Sequence, residues 1–559
     1  MPKTECCNVI LVEDGIDFES QDSHPKARFT LENDCKLFKH RKSRKIIVKY
    51  DAIVQNQMSF YTRKLHIKIH KNGNFDFEIP QNTLGLEVNI FIKTEKNCCN
   101  KLVEFYPENC RNDFLATRTE TRMMFKHCNQ MAIDTSGLDH TPVKPGENRV
   151  FGHQLGPCRA ARAMAIVHIA MFEAIISIVG GYQSLLNLPP VSSSASVEAA
   201  MCQALHDTLV PLFPSHQPRL DSILAADLAQ IPNGSSKSNG INAGAAAASA
   251  ILANRTNDGS NHAEPVYGVD YIPSGAPGEW EQDPISQIPV ALGALWSQVT
   301  PFVIPSADAY RCPVPPALNS VEYMMAFNDA KAMGGDGITT PTIRSDQETQ
   351  MGIFWAYDGT PSLCAPPRLY NQLCMQIGSD NGLDTMELMY MITLLNVGMA
   401  DVGIASWESK YFYKLWRPVT GIRRAAENGN PGTIADPTWT PMGAPASNKN
   451  TVNFTPPFPT YPSGHASFGG CVFGLLRKFL PDNTSFTFVS DELNGETKDN
   501  QGNSRPLIPR SFTSFSQAEE ENGKSRIPLG IHWNQDKTSG IIIGNQIADY
   551  VFDNLYQPN

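Results

Sequence analysis

The sequence predicts a mainly α protein whose helical body follows a small β-rich N-terminal unit. Two observations carry that expectation. Through the first 120 or so residues, apolar and polar side chains alternate in "RKIIVKYDAIV", "LHIKIHKNGNFDFEI" and "LGLEVNIFIKT", the period of half-buried strands. From about residue 150 the spacing becomes that of helices, beginning with "CRAARAMAIVHIAMFEAIISIV". A length of 559 residues leaves room for more than one domain and for a large core.

Taken in chain order, residues 1–125 read as the β-rich unit. Asn72-Gly73 between two alternating runs signals a hairpin there, and "KLFKHRKSRK" (36–45) is a basic run expected on a solvated edge. Residues 126–149, ending in the polar "DTSGLDHTPVKPGENR", read as a linker. Residues 150–559 are the helical body. Its first helix, 158–179, is apolar on most sides and belongs in the core, with His168 structural. An alanine-rich helix covers 241–255, and 273–305, rich in Pro and Trp, is an ordered extended crossing. Further helices are expected over 319–333, 345–356, 366–377 and 384–416.

Composition excludes several classes. A formal net charge of −10 argues against a general nucleic-acid binder. No apolar run is read as long enough to span a bilayer. The start, "MPKTECCNVILVEDGIDFES", has acids where a Sec-type signal has its apolar core, so the expectation is a soluble protein, cytoplasmic or non-classically exported. Seven of the 13 cysteines (Cys6, Cys7, Cys35, Cys98, Cys99, Cys110 and Cys128) precede residue 130 and none forms a CxxC pair, so reduced thiols are the default and a zinc ribbon is unsupported.

Three clusters carry chemistry. In "WESKYFYKLWRP", Lys410 and Arg417 stand seven residues apart, two turns on one helical face, with Pro418 closing the element. They sit among Trp407, Tyr411, Phe412, Tyr413 and Trp416, an odd setting for solvated cations and a natural one for a buried anion. In "YPSGHASFGG" (461–470), Pro462 ends one segment and Ser463 caps the helix that starts with Gly464 and His465; such a start presents free N–H groups and a positive dipole end. In "SRIPLGIHWNQDK" (525–537), Arg526 precedes His532, and Asp536 four residues later can orient its ring from the same helix face.

In this order the three blocks, Lys-x6-Arg-Pro, Pro-Ser-Gly-His and Ser-Arg-x5-His-x3-Asp, resemble the signature of the superfamily that joins type 2 phosphatidic acid phosphatases, bacterial acid phosphatases and vanadium-dependent haloperoxidases. From about residue 150 onward the chain is similar to the fungal-type vanadium chloroperoxidases and their bacterial relatives, through "LGPCRAARAMAIVHIAMFEAIISI", "LANRTNDGS", "PGEWEQDP" and "FWAYDGTPSLCAPPRLYNQL". The N-terminal unit has no counterpart in that family.

The resemblance implies two packed helical bundles and an oxyanion cradle made by Lys410, Arg417, Ser463, Gly464 and Arg526. It implies vanadate as cofactor with His532 as its protein ligand, oriented by Asp536. His465 is then the acid–base group, Asp358 pairs with Arg526, and Trp407 and Phe458 line a halide pocket. Phenylalanine at 458 resembles the chloroperoxidase type, where algal bromoperoxidases carry histidine. The implied partners are hydrogen peroxide, a halide and a small organic acceptor, and the resemblance leaves room for a homo-oligomer. The alternative on the same motifs is a soluble acid phosphatase, in which His532 attacks a phosphomonoester to form a phosphohistidine and His465 protonates the leaving group.

Overall fold

The computed structural model describes residues 119–559, preceded by the backbone of six strands. Residues 1–114 and 115–559 form separate units. In the first, β1 (Val9–Asp17), β2 (Lys26–Asn33) and β5 (Asn74–Glu78) make one antiparallel sheet in the order β1-β2-β5, and β3 (Lys45–Val54), β4 (Arg63–Lys68) and β6 (Thr83–Ile92) make another in the order β4-β3-β6. The turn expected at Asn72-Gly73 lies outside the described residues. β4 pairs with β3 and β5 with β2.

The second unit is helical: α1 (Thr119–Asp139), α2 (Pro157–Val179), α3 (Val197–Leu212), α4 (Gln217–Ala229), α5 (Ser235–Arg255), α6 (Val321–Met333), α7 (Asp346–Phe354), α8 (Pro366–Asp380), α9 (Thr385–Tyr413), α10 (Pro418–Arg423), α11 (Gly464–Phe479), α12 (Phe515–Lys524) and α13 (Asn534–Asn554). A two-stranded ribbon, β7 (Phe486–Phe488) with β8 (Arg510–Phe512), separates α11 from α12. The segment 273–305 is ordered without long regular structure, as its prolines dictate.

Four expectations are corrected. Residues 126–149 are no linker. Thr119–Asp139 is helical and buries Phe125, Cys128, Asn129, Ala132 and Ile133, a helical stripe that the polar residues of "DTSGLD" disguise. The segment beyond it is tied down, because the Asp139 carboxylate accepts the N–H groups of His153 and Gln154 at 2.8 Å each. Second, two helices, α2 and α9, are long and apolar enough to cross a membrane by composition, but 94% and 100% of their apolar windows are buried inside the body, so their hydrophobicity serves the core. Third, the helix expected over 384–416 ends at Tyr413, with Lys414 in the left-handed region (φ 52°, ψ 29°), and Arg417 is the extended N-cap of α10 rather than a residue two turns from Lys410 on one face. Fourth, His532 stands before α13, which begins at Asn534, so its pairing with Asp536 reaches across the helix start. His168 is structural as expected: buried on α2, with Nε2 2.9 Å from Asn129 Oδ1, and held down to about 4 by burial.

α9 is the spine. It packs on α2, α11 and α13, while α2 also packs on α3 and α5. α11 packs closely against α13, where glycines let the backbones meet. A Cβ on Gly544 would stand 2.4 Å from the Ser467 carbonyl oxygen and 2.6 Å from Cys471 N. Because both ends of this contact carry site residues, its spacing sets the site. Gly544→Ala is therefore expected to lower stability by about 1–3 kcal/mol despite the better helix propensity of alanine, measured by urea unfolding; an unchanged midpoint would show that the helices can separate freely.

Candidate active site

The site lies where six segments end or begin. α9, started by a capping box from Asp384 and Glu387, delivers Trp407 and Lys410 on its last turns. Lys410 is fully buried. Its ammonium donates to the carbonyls of Pro459 and Thr460, each at 3.0 Å, and to that of Pro462. Burial, then the charge of Arg417, hold its pKa well below the usual lysine value. Its cation faces the rings of Trp407 (5.4 Å) and Phe458 (5.1 Å), a favourable arrangement for a desolvated charge. Trp407 is locked by its N–H to the Leu292 carbonyl at 3.0 Å. Gly293 admits the ring edge: with φ +74°, a Cβ there would lie 2.3 Å from Trp407 Cδ1.

Arg417 is also fully buried. Nε donates to the Phe458 carbonyl at 2.9 Å and Nη1 to the Ile531 carbonyl at 2.8 Å, while Nη2 is buried without a partner. Burial pushes its pKa down to about 9.

Ser463 caps α11 as its residue type demands: Oγ accepts the Ala466 N–H, and its own N–H donates to the Asp536 carbonyl at 3.0 Å. Gly464 has no room for a side chain, because a Cβ would meet Trp407 Cη2 at 3.2 Å. His465 Nε2 lies 2.6 Å from the Ala356 carbonyl oxygen. A carbonyl only accepts, so that nitrogen carries the proton and Nδ1 of the neutral ring keeps a lone pair. The Asn522 amide donates to the His465 carbonyl at 2.9 Å, and the Tyr370 hydroxyl lies 3.0 Å from it. Burial, then the Arg526 charge, drive the His465 pKa well down.

Asp358, beyond α7, binds Arg526 Nη2 with both oxygens, at 2.7 and 2.9 Å; Nε and Nη1 of Arg526 are buried without partners. Desolvation raises the Asp358 pKa and Arg526 opposes that rise. His532 donates from Nδ1 to Asp536 Oδ2 at 2.8 Å, which leaves its Nε2 as an acceptor 3.1 Å from Arg417 Nη1. Asp536 Oδ2 also accepts from the Thr460 hydroxyl and the Trp533 N–H. Burial lifts its pKa to about 6, and burial, then the Arg417, Lys410 and Arg526 charges, depress that of His532.

All eleven residues singled out in the sequence thus fall in one buried neighbourhood. Three residues were missed. Thr460, three before Ser463, shares the Asp536 carboxylate with His532; its hydroxyl amid prolines was the available signal. Tyr370 and Asn522 fix the backbone of His465, and no local pattern marks either. Three guanidinium nitrogens without partners (Arg417 Nη2, Arg526 Nε and Nη1), the helix start at α11 and the acceptor Nε2 of His532, which faces Arg417 Nη1, make a set of donors and one lone pair that fits a tetrahedral oxyanion with an electrophilic centre.

This electrostatics has a pH signature. His465 and His532 are held neutral in the fold below their ordinary 6.5, so the unfolded chain takes up protons that the native chain refuses, and stability falls as pH drops below 6.5. Asp536 acts oppositely between its ordinary 3.8 and about 6, where the native chain takes up its proton first. Replacing His465 by Asn is expected to reduce the net acid slope by up to about 1.4 kcal/mol per pH unit, measured by urea unfolding of the anion-free protein between pH 7.5 and 5; an unaltered slope would mean that His465 is protonated in the fold.

Comparison with known proteins gives the following likenesses. The family model "VCPO second helical-bundle domain" matches residues 390–558. The chain is 36% identical over 282 residues to the vanadium chloroperoxidase of Curvularia inaequalis, a match that covers 43% of this chain and 46% of that one; the chain thus spans about half the length of the curated relative it matches. In fold it resembles the first bacterial vanadium-dependent iodoperoxidase solved (TM-score 0.61, 22% identity, 78% of this chain and 97% of that one). It also resembles an apo bacterial vanadium-dependent chloroperoxidase (TM-score 0.53, 16% identity, 71% and 94%). Residues 390–558 thus match the second helical-bundle domain of that family model, and the helical fold is similar to that of solved bacterial vanadium-dependent haloperoxidases.

Proposed function

We propose that this protein is a vanadate-dependent haloperoxidase, which uses hydrogen peroxide to oxidise a halide to a hypohalous species that halogenates small organic acceptors. The observation that carries the reading is the set of three unpartnered, buried guanidinium nitrogens on Arg417 and Arg526, with His532 Nε2 left by its tautomer as an acceptor beside Arg417. Such donors are costly to bury empty and are satisfied by an oxyanion.

Vanadate held here would supply Lewis-acid chemistry for activating peroxide towards halide. The protein's own part follows from the geometry. His532 offers Nε2 as the one metal ligand, and Asp536 with Thr460 holds the tautomer that frees it. Arg417 and Arg526 donate to the oxyanion through the nitrogens left open; Ser463 and Gly464 bring the start of α11, and Lys410 adds charge while it fixes the 459–462 backbone. His465, neutral and with Nε2 held by the Ala356 carbonyl, would offer Nδ1 as the base that holds a proton taken from peroxide. Asp358 occupies one side of the Arg526 fork, so the opposite side faces the anion. Trp407 and Phe458, with ring centroids 4.9 Å apart, wall an apolar niche beside Gly464 in which a weakly hydrated halide is stripped of water. Bromide and iodide suit that niche, and phenylalanine at 458 brings chloride within reach.

The test is reconstitution of metal-free protein with orthovanadate, followed by peroxide, bromide and a phenolic dye, with p-nitrophenyl phosphate hydrolysis by the vanadate-free protein alongside. Bromination that requires vanadate is the expected outcome; fast phosphate release that vanadate merely inhibits, without halide oxidation, would make the protein a phosphatase and reduce Trp407 and Phe458 to packing. His532→Ala is expected to abolish vanadate retention. His465→Ala should slow turnover on the order of a hundred-fold with vanadate still bound; lost binding with undiminished rate per bound vanadate would reassign His465 to a positional role.

A further inference from the structure

The segment 354–358 controls two site groups at once: the Ala356 carbonyl holds His465 Nε2 and the Asp358 carboxylate holds Arg526. Its own conformation is unfavourable. Tyr357, a bulky and fully buried residue, sits at φ +43°, a region that L residues with large side chains avoid and that persists only where the surroundings over-determine it.

Apart from Gln372, whose Oε1 accepts from the Tyr357 hydroxyl at 3.2 Å, the polar partners of this segment come from one turn, residues 490–493, far along the chain. The Ser490 hydroxyl donates to the Phe354 carbonyl at 2.6 Å. The Asp491 N–H donates to the Tyr357 hydroxyl at 2.7 Å. Glu492 Oε1 accepts the Tyr357 N–H at 3.1 Å. Glu492 is itself fully buried and gripped from behind. Its Oε2 accepts from the Ser447 hydroxyl at 2.6 Å and from Arg505 Nη1, which also donates to Ser447 Oγ at 2.8 Å. A buried carboxylate this well satisfied is costly to move. Desolvation raises its pKa, Arg505 opposes that rise, and the negative charge of Asp358 adds to it. Glu492 and Asp358 are thus neighbouring carboxylates, each facing its own arginine.

The geometry points to Glu492, clamped by Arg505 and Ser447, as a positioning residue for the oxyanion site: through the Tyr357 amide it sets the Ala356 carbonyl and Asp358, and through them the ring of His465 and the open edge of Arg526. This rests on the oxyanion reading of the cradle but not on peroxidase chemistry, so a test by anion binding separates the two.

The experiment compares full-length wild type with Tyr357→Phe, Glu492→Gln and the double variant Glu492→Leu/Arg505→Leu, together with His127→Asn, which breaks a remote pair with Asp227. Orthovanadate affinity is titrated, inorganic phosphate affinity is measured by competition, and the melting temperature is taken without anion. Glu492→Gln keeps an acceptor for Tyr357 but presents an N–H to Ser447 and Arg505; the double variant removes pair and acceptor together and replaces them by apolar volume. Affinity for both anions is expected to fall through the series and to be about tenfold or more weaker in the double variant. For vanadate-loaded Glu492→Gln, kcat should fall while the halide KM holds. His127→Asn should leave affinity unchanged whatever it does to melting. Anion affinities within twofold of wild type in every variant that folds would overturn the assignment; if the double variant fails to fold, Tyr357→Phe and Glu492→Gln decide. Wild type that binds both anions yet oxidises no halide would instead remove the peroxidase reading and leave the positioning result standing.

Discussion

Three long cations lie inside this protein, Lys410 and Arg417 fully buried and Arg526 1% exposed. Bringing them together out of water costs desolvation and mutual repulsion, and the two carboxylates beside them, Asp358 and Asp536, are themselves destabilised by burial. Each charge is met by a different device. Lys410 gives its donors to three carbonyls of one loop, Arg417 is held by two carbonyls and an aromatic face, and Arg526 is half-covered by a carboxylate. What remains open is confined to one place, and the rest of the helical body holds those groups there.

That requirement explains where the functional residues sit. Lys410 is at the end of α9, Arg417 just before α10, Ser463 to His465 at the start of α11, Arg526 just after α12, His532 just before α13 and Asp358 after α7. Helix ends are where backbone N–H and C=O groups lack intrahelical partners, so they can serve cations and anions without breaking regular structure. The helices supply rigidity instead: α9, buried along nearly its whole length, and the glycine-lined contact of α11 with α13 keep their ends in register. The placement of the site groups thus depends on packing along the helices as well as on their ends.

Much of this was legible in the sequence because charged residues in an aromatic setting, a Pro-Ser-Gly-His helix start and a spaced Arg, His and Asp each have few structural excuses. The core helices were equally plain, since their apolar spacing runs for twenty residues or more. The failures share a physical cause. Arg417 looked helical because periodicity cannot see the left-handed Lys414 that breaks α9 three residues earlier. The first helix of the body passed for a linker because its buried face includes Asn129, Thr135, Ser136 and Asp139, polar groups made tolerable only by distant partners. Thr460, Tyr370 and Asn522 were invisible for the same reason: their role is defined by residues far away in the chain.

Phe458 deserves to be seen from both of its faces. Its ring lies 4.9 Å from Trp407, 5.1 Å from the Lys410 ammonium and 4.9 Å from the Arg417 guanidinium, and its carbonyl accepts from Arg417. A substitution that reshaped the wall of the apolar niche would also change how two buried cations are solvated. On the proposed function, drift in which halide is accepted is therefore coupled to drift in how firmly the oxyanion is held, and a lineage that exchanges this ring must adjust both traits together.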